Sequence, residues 1–227
     1  MIKLPDLTVE SGSGQPGFRE PGFGQPGFGA VFSEAADGDL RHDRSARVRL
    51  AAALGISPEW ATVTQVHGTA VVRADGPGNH GPADALHTTV RGLPLAVFTA
   101  DCAGVVLVGE GAVGVAHAGW RGAAAGVVAG LASAMRTGGH AVTRAAIGPA
   151  IGPCCYEVGE EVAGHFTGAR STTTWDTTSV DLAEAVRHQL PGVEVWSAGH
   201  CTRHEAGWYS HRRDRTAARM ATVVWLP

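Results

Sequence analysis

The chain has 227 residues, 44% of them hydrophobic and 17% charged, with a formal net charge of −3. That balance describes an ordinary globular protein. It excludes a nucleic-acid coat, a disordered acidic tail and, since no apolar run reaches about 20 residues, a membrane-spanning helix. Of the 18 basic residues only Lys3 is a lysine; the rest are arginines, the better bidentate holders of oxyanions. Met1 to Asp6 begins no secretory signal, and Cys102, Cys154, Cys155 and Cys201 form no Cys-x-x-Cys pair. A reduced, cytoplasmic setting is expected, with no nucleic-acid or membrane partner.

Pro-Gly-Phe recurs at 16–18, 21–23 and 26–28. Such a density of turn formers sustains neither helix nor ladder, so residues 1–29 are expected to be a flexible leader without an assigned role. A single domain is expected over residues 30–227. A strand at 30–33 leads to a helix over 43–54, stopped by Gly55. Two strand segments are expected between 61 and 75, interrupted at Gly68. The Val-rich, Gly-bounded segments 95–99, 105–108 and 113–116 read as neighbouring core strands. Helical spacing of Val127, Val128, Leu131 and Met135 predicts a helix over 122–135. A strand at 142–147, the turn "GPAIGPCCYEVGEEV" entering a helix, a helix over 181–190 and strands at 193–197 and 221–226 follow. The fold class is α/β (α+β), one layered domain with a mixed β-sheet core flanked by helices.

Three short segments carry polar groups at the ends of otherwise apolar strands: "TQVHGT" with His67, "TADCAG" with Cys102 and "AHAGWRG" with His117. Burying such groups costs free energy unless each has a partner. One thiol and two imidazoles suit Zn²⁺ or copper, and three protein ligands leave a fourth position for water or substrate, the arrangement of catalytic sites. The spacings, 35 residues and then 15, match no compact metal motif. Spacing alone therefore leaves open a thiolate–imidazole pair of Cys102 and His117 acting as nucleophile and base. Asp101, next to Cys102, is expected to point away from it and to serve structure. Arg121, at a helix entrance, is either an anion holder or a surface residue. His200 and His204 lie four apart between glycines and read as loop. The "HRRDR" run at 211–215 reads as a solvated charged loop, and Cys154-Cys155 as packing residues.

"QVHGT", "TADC", "HAGWRG", "GPAIGPCCYEVGEEV" and "CT…YSHRRD…ARMATVVWL", in that order from about Leu50 to the C-terminus, resemble the laccase-domain family. Its members have been called polyphenol oxidases, purine nucleoside phosphorylases and peptidoglycan editing factors. The resemblance implies a metal, most often zinc with copper as the alternative, held by His67, Cys102 and His117. It also implies phosphorolysis of adenosine, inosine and methylthioadenosine, with some adenosine deamination. Small-molecule partners, nucleoside and phosphate, follow, with a monomer or weak homodimer as the expected state. The family's early helix carries an active-site Arg about twenty residues before the first metal histidine. Arg47 stands there, with Ala46 where the family usually has Asn. Arg47 and Arg121 are the expected phosphate holders, because guanidinium binds oxyanions bidentately. The family's Arg and Gly-Gly-x-Ser loop after the first strand is missing from "VFSEAADGDLR", which bears on substrate choice. With 11 histidines and no His-x-His pair, the chain lacks the ligands of a multicopper oxidase. A cysteine hydrolase editing peptidoglycan precursors and a copper-dependent polyphenol oxidase are the alternative functions.

Overall fold

The computed structural model describes residues 27–227 together with the strand Ile2–Lys3. The first two Pro-Gly-Phe copies, and with them most of the expected leader, lie outside the described residues. Of the third copy, Phe28 packs partly against the core with Arg144 over its ring.

Two six-stranded mixed sheets form the body of the domain. The first contains β1 (Ile2–Lys3), β2 (Gly29–Phe32), β3 (Ala61–Thr64), β5 (Gly78–Pro82), β7 (Leu95–Thr99) and β14 (Met220–Trp225), in the order β1-β2-β14-β7-β3-β5. The second contains β4 (Val71–Arg73), β6 (Ala85–Thr88), β8 (Ala103–Gly109), β9 (Ala112–Ala118), β10 (Val142–Ile147) and β13 (Glu194–Ser197), in the order β13-β10-β8-β9-β6-β4. A small hairpin, β11 (Arg170–Thr172) with β12 (Thr178–Val180), stands apart.

Three apolar clusters explain why the central strands are Val-rich without strict alternation: they are covered on both faces. Leu95 and Val97 of β7 meet Val106, Val113 and Val115 between the sheets. On the outer face of the first sheet, Ala96, Phe98, Ala221 and Val223 pack against Ala46 and Leu50 of helix α1 (Arg44–Leu54). On the outer face of the second, Val105, Leu107 and Ala116 pack against Val128, Leu131 and Met135 of α3 (Val127–Thr137). Helix α1 starts on Asp43, whose carboxylate accepts the Ser45 N–H, and stops at Gly55 in the left-handed region.

The expected strands and helices are present, with four corrections. The helix expected over 122–135 is two helices, α2 (Trp120–Ala124) and α3, because Gly126 adopts φ +84° and breaks the run. The strand expected at 95–99 is not an in-sheet neighbour of the other two. It pairs with β14 and β3, while β8 and β9 form a hairpin in the opposite sheet. The segment after "CCYEV" supplies only a short helix, α4 (Glu160–Ala163). Further on, α5 (Leu182–Arg187) is capped by Asp181, and α6 (His211–Asp214) falls within the charged run read as loop.

Candidate metal centre and cavity

The link Ala100-Asp101-Cys102 leaves β7 and crosses from one sheet to the other. Asp101 takes φ +86°, a strained value for a residue with a side chain, and the sharp turn delivers Cys102 to the start of β8. Directly across the hairpin, His117 pairs with Gly104 on the neighbouring strand. His67 follows β3 in a turn at φ +60°. One nitrogen of each imidazole and the Cys102 sulfur lie within 4.8 Å of one another. The two rings meet edge to face, 4.8 Å between centroids. Gly119 permits this closeness: a Cβ there would lie 2.9 Å from His67 Cδ2 and 3.0 Å from Cys102 Sγ.

Asp84 is the residue the sequence reading missed. Fully buried just before β6, it accepts a hydrogen bond from His117 Nδ1 at 2.8 Å. Its carboxylate also accepts the backbone N–H groups of Val66, His67 and Gly68. One acid therefore orients one imidazole and holds the turn that carries the other. The signal was available: an aspartate in "PADAL", flanked by alanines at the entrance to an apolar strand, demands a buried partner as much as Cys102 does.

The charges agree with this arrangement. Burial would raise the Asp84 carboxyl, but its hydrogen bonds to His117 and to the backbone of Gly68 hold it below its usual value. Burial alone would raise the Cys102 thiol too, yet the hydrogen bonds and charges of His117 and His67 bring it down to about 6. Burial works the other way on His117, where bonds to Asp84 and Cys102 outweigh it and lift the imidazole to about 9. Near neutrality the bare site is a thiolate beside an imidazolium.

The donors open into a cavity of about 290 Å³, also lined by Arg41, Gln65, Phe98, Tyr156, His211, Arg212 and Arg219. Burial, and then the nearby charge of Arg41, push Arg219 below its ordinary value. Two guanidiniums crowded on one wall are a setting an anion relieves. Asp101, expected to point away from Cys102, instead lines the same cavity from its positive-φ turn; it accepts Thr202 Oγ1 and the Arg212 N–H, both at 2.6 Å, and so ties the C-terminal loop to the strand end. The "HRRDR" run is more than a solvated loop. His211 and Arg212 face the cavity, Arg212 lies over the Tyr156 ring, and Arg213 donates to the carbonyls of Thr202, Arg203, Glu205 and Trp208.

Neither arginine expected to hold phosphate is among the residues lining this cavity. Arg121 is exposed, its guanidinium 4.4 Å from the centre of the Trp120 ring. Arg47 is half-buried on α1 and donates to the carbonyl of Arg41 at 3.4 Å, with its Nε buried and unbonded. Arg41 ends the "VFSEAADGDLR" stretch, so this loop delivers an arginine to the cavity wall by its own route. His200 lies in a loop and bonds Glu205 at 2.6 Å.

The donor set fits a metal. His117 has one nitrogen fixed by a carboxylate and the other turned to the cluster, the usual support of a ligating imidazole. Cys102 is thiolate-prone, and among the described residues no fourth His, Cys, Asp or Glu joins the three donors. Among the described residues no helix is long and apolar enough to cross a membrane.

The family model described as multi-copper polyphenol oxidoreductase laccase matches residues 19–227. Purine nucleoside phosphorylase ORF3 of Streptomyces griseus is 43% identical over 79% of this chain and 80% of its own. Purine nucleoside phosphorylase YfiH of Escherichia coli is 34% identical over 82% of this chain and 81% of its own. The crystal structure of YlmD from Geobacillus stearothermophilus superposes with a TM-score of 0.75 at 30% identity, covering 88% of this chain and 91% of the other. The site at the joint between two sheets and the match along nearly the whole described chain lead to one conclusion: this protein belongs to the multi-copper polyphenol oxidoreductase laccase-domain family.

Proposed function

We propose that the protein is a metal-dependent purine nucleoside phosphorylase, acting on adenosine, inosine or methylthioadenosine with phosphate. The observation that carries this reading is the pairing, across one cavity, of a His67–Cys102–His117 donor set with the guanidiniums of Arg41, Arg212 and Arg219. The names of the relatives from Streptomyces griseus and Escherichia coli support it.

In phosphorolysis a phosphate oxygen bonds to ribose C1′ while the C1′–N9 bond breaks, and the purine leaves with that electron pair. Arg41 and Arg219 hold the phosphate, and Arg47 positions Arg41 through its carbonyl. The exposed Arg121 remains a further candidate for anion contact at the α2 entrance. Tyr156 is pushed up to about 12, first by burial, so its phenol stays protonated and can donate to a substrate oxygen or nitrogen. Zinc or copper held by His67, Cys102 and His117 would supply Lewis acidity at that end of the cavity. The same Lewis acidity suits adenosine deamination as a side activity.

One observation favours a second reading. Asp84, His117 and Cys102 stand in the acid–base–nucleophile order of a cysteine hydrolase, with a thiolate near 6. Metal content separates the two, since a thiolate bound to a metal is not free to attack. The deciding assay is hypoxanthine release from inosine with and without phosphate, beside Cys102→Ala. Phosphate-dependent release lost in the variant supports the phosphorylase. Absence of release from metal-loaded protein rejects it and brings the hydrolase forward.

A further inference from the structure

Away from the cavity just described, a second group of ligand atoms converges. The sulfurs of Cys154, Cys155 and Cys201 lie within 4.8 Å of one another, with 3.5 Å between Cys154 and Cys155. None of the three is in a disulfide. Their convergence is built by the backbone. Gly152 N–H donates to Cys201 Sγ at 3.2 Å, and the Cys155 N–H closes a tight turn on the Gly152 carbonyl, which brings adjacent cysteines to one side. Ala150 and Cys201 form a parallel bridge, and the Thr202 N–H donates to the Ala150 carbonyl, pinning the two segments together. At Gly152 a Cβ would lie 3.2 Å from Cys201 Cβ and 3.4 Å from Cys154 Sγ, so the chain passes close enough for the sulfurs to meet. A separate cavity of about 330 Å³, lined by Cys154 and Cys201, gives access from solvent.

We propose that Cys154, Cys155 and Cys201 form a second metal site, selective for a soft, thiophilic cation, Cu(I), and distinct from the His67–Cys102–His117 centre. Three sulfurs with no nitrogen or oxygen donor among them suit a soft cuprous ion, whereas a structural zinc site is closed by a fourth protein ligand. Other donors on this cavity wall are engaged elsewhere. Asp181 caps α5, His200 bonds Glu205, and Glu184 faces Arg187 and His188. The Gly152 N–H and the Arg213 guanidinium, bonded to the carbonyl next to Cys201, favour a thiolate at Cys201, while burial and then the neighbouring thiols push Cys154 up to about 12, so the ion must displace that proton on binding.

The test uses the full chain carrying Cys102→Ala, which removes the sulfur of the first centre, titrated anaerobically with Cu(I) against a cuprous chelator. One equivalent is expected, with a sulfur-only first shell by X-ray absorption, and it is lost when Cys154→Ser or Cys201→Ser is added. In the unmutated protein, Cu(I) is expected to protect Cys154 and Cys201 from alkylation, a readout that needs no folded variant. The proposal fails if Cys102→Ala takes up no Cu(I), if uptake survives both serine substitutions, or if alkylation is the same with and without Cu(I). A nitrogen-containing shell on the bound copper also overturns it.

Discussion

Asp84 and His117 are joined twice: the carboxylate accepts the Nδ1 proton at 2.8 Å, and the Asp84 backbone carbonyl accepts the His117 N–H at 2.7 Å. Ring and backbone of the histidine are thus fixed by one residue, and Nε2 has one direction left to face. Replacing the acid should disturb the metal first and the fold second. Asp84→Asn is expected to weaken metal affinity by about 10- to 100-fold, as loss of a ligand's supporting carboxylate does. Asp84→Ala leaves the His117 ring N–H and three backbone N–H groups without their acceptor and should cost about 3–5 kcal/mol. Chelator competition measures the first effect and denaturant unfolding the second.

Metal uptake should depend on pH with a definite sign. Between about 6 and 9 the bare site holds Cys102 as thiolate and His117 as imidazolium, because one is lowered to about 6 and the other raised to about 9. A metal ion entering in that window has one proton to displace, from His117, so affinity should rise about tenfold per pH unit and level off above 9. Calorimetry in buffers of different ionisation enthalpy counts that proton. Uptake without proton release at pH 7.5 would contradict the pairing.

Gly119 offers a substitution aimed at the ligands alone. It caps α2 in ordinary extended backbone, so alanine meets no dihedral penalty there, only the His67 ring and the Cys102 sulfur. Overpacking of this kind costs about 1–3 kcal/mol, or about 2–4 °C of Tm per kcal/mol in a domain of this size. Gly119→Ala should remain folded by circular dichroism and bind metal at least tenfold more weakly. Unchanged metal affinity would show that the three donors do not act as one site.

The arginines can be ranked. Losing a charge-assisted hydrogen bond costs about 1.5–3 kcal/mol, so Arg41→Ala and Arg219→Ala should each raise the KM for phosphate by about 10- to 150-fold and leave the KM for inosine within a few-fold. Arg47→Ala should show a smaller effect in the same direction, and Arg121→Ala the smallest, because its guanidinium rests on Trp120. Steady-state kinetics with phosphate varied settles the order. A larger loss for Arg121 than for Arg41 would move the anion to the α2 entrance.

These four predictions rest unevenly on the sequence. His67, Cys102 and His117 were legible because each interrupts an apolar strand end, where a polar side chain has no packing reason to be. Asp84 obeys the same rule but lies 33 residues before the histidine it serves, and nothing local ties them. Arg41 and Arg219 meet across 178 positions, through the pairing of β14 with β2, so no window along the chain could join them. Val-rich strands declared themselves by composition, whereas their division between two sheets depended on Asp101, whose positive φ has no signature in "TADC". The helix break at Gly126 was hidden because the apolar spacing continues straight across it.

The turn at Asp101 has one more consequence. His67 hangs from the first sheet, while Cys102 and His117 belong to the second, so a single ion gripping all three would act as a rivet between two plates. Its removal would then be felt as shear: the β3 end and the Ala100–Cys102 link would loosen together, while the hairpin interior of β8 and β9 stayed shut. A chemical centre placed on a mechanical joint makes the ion's occupancy and the alignment of the cavity walls one variable.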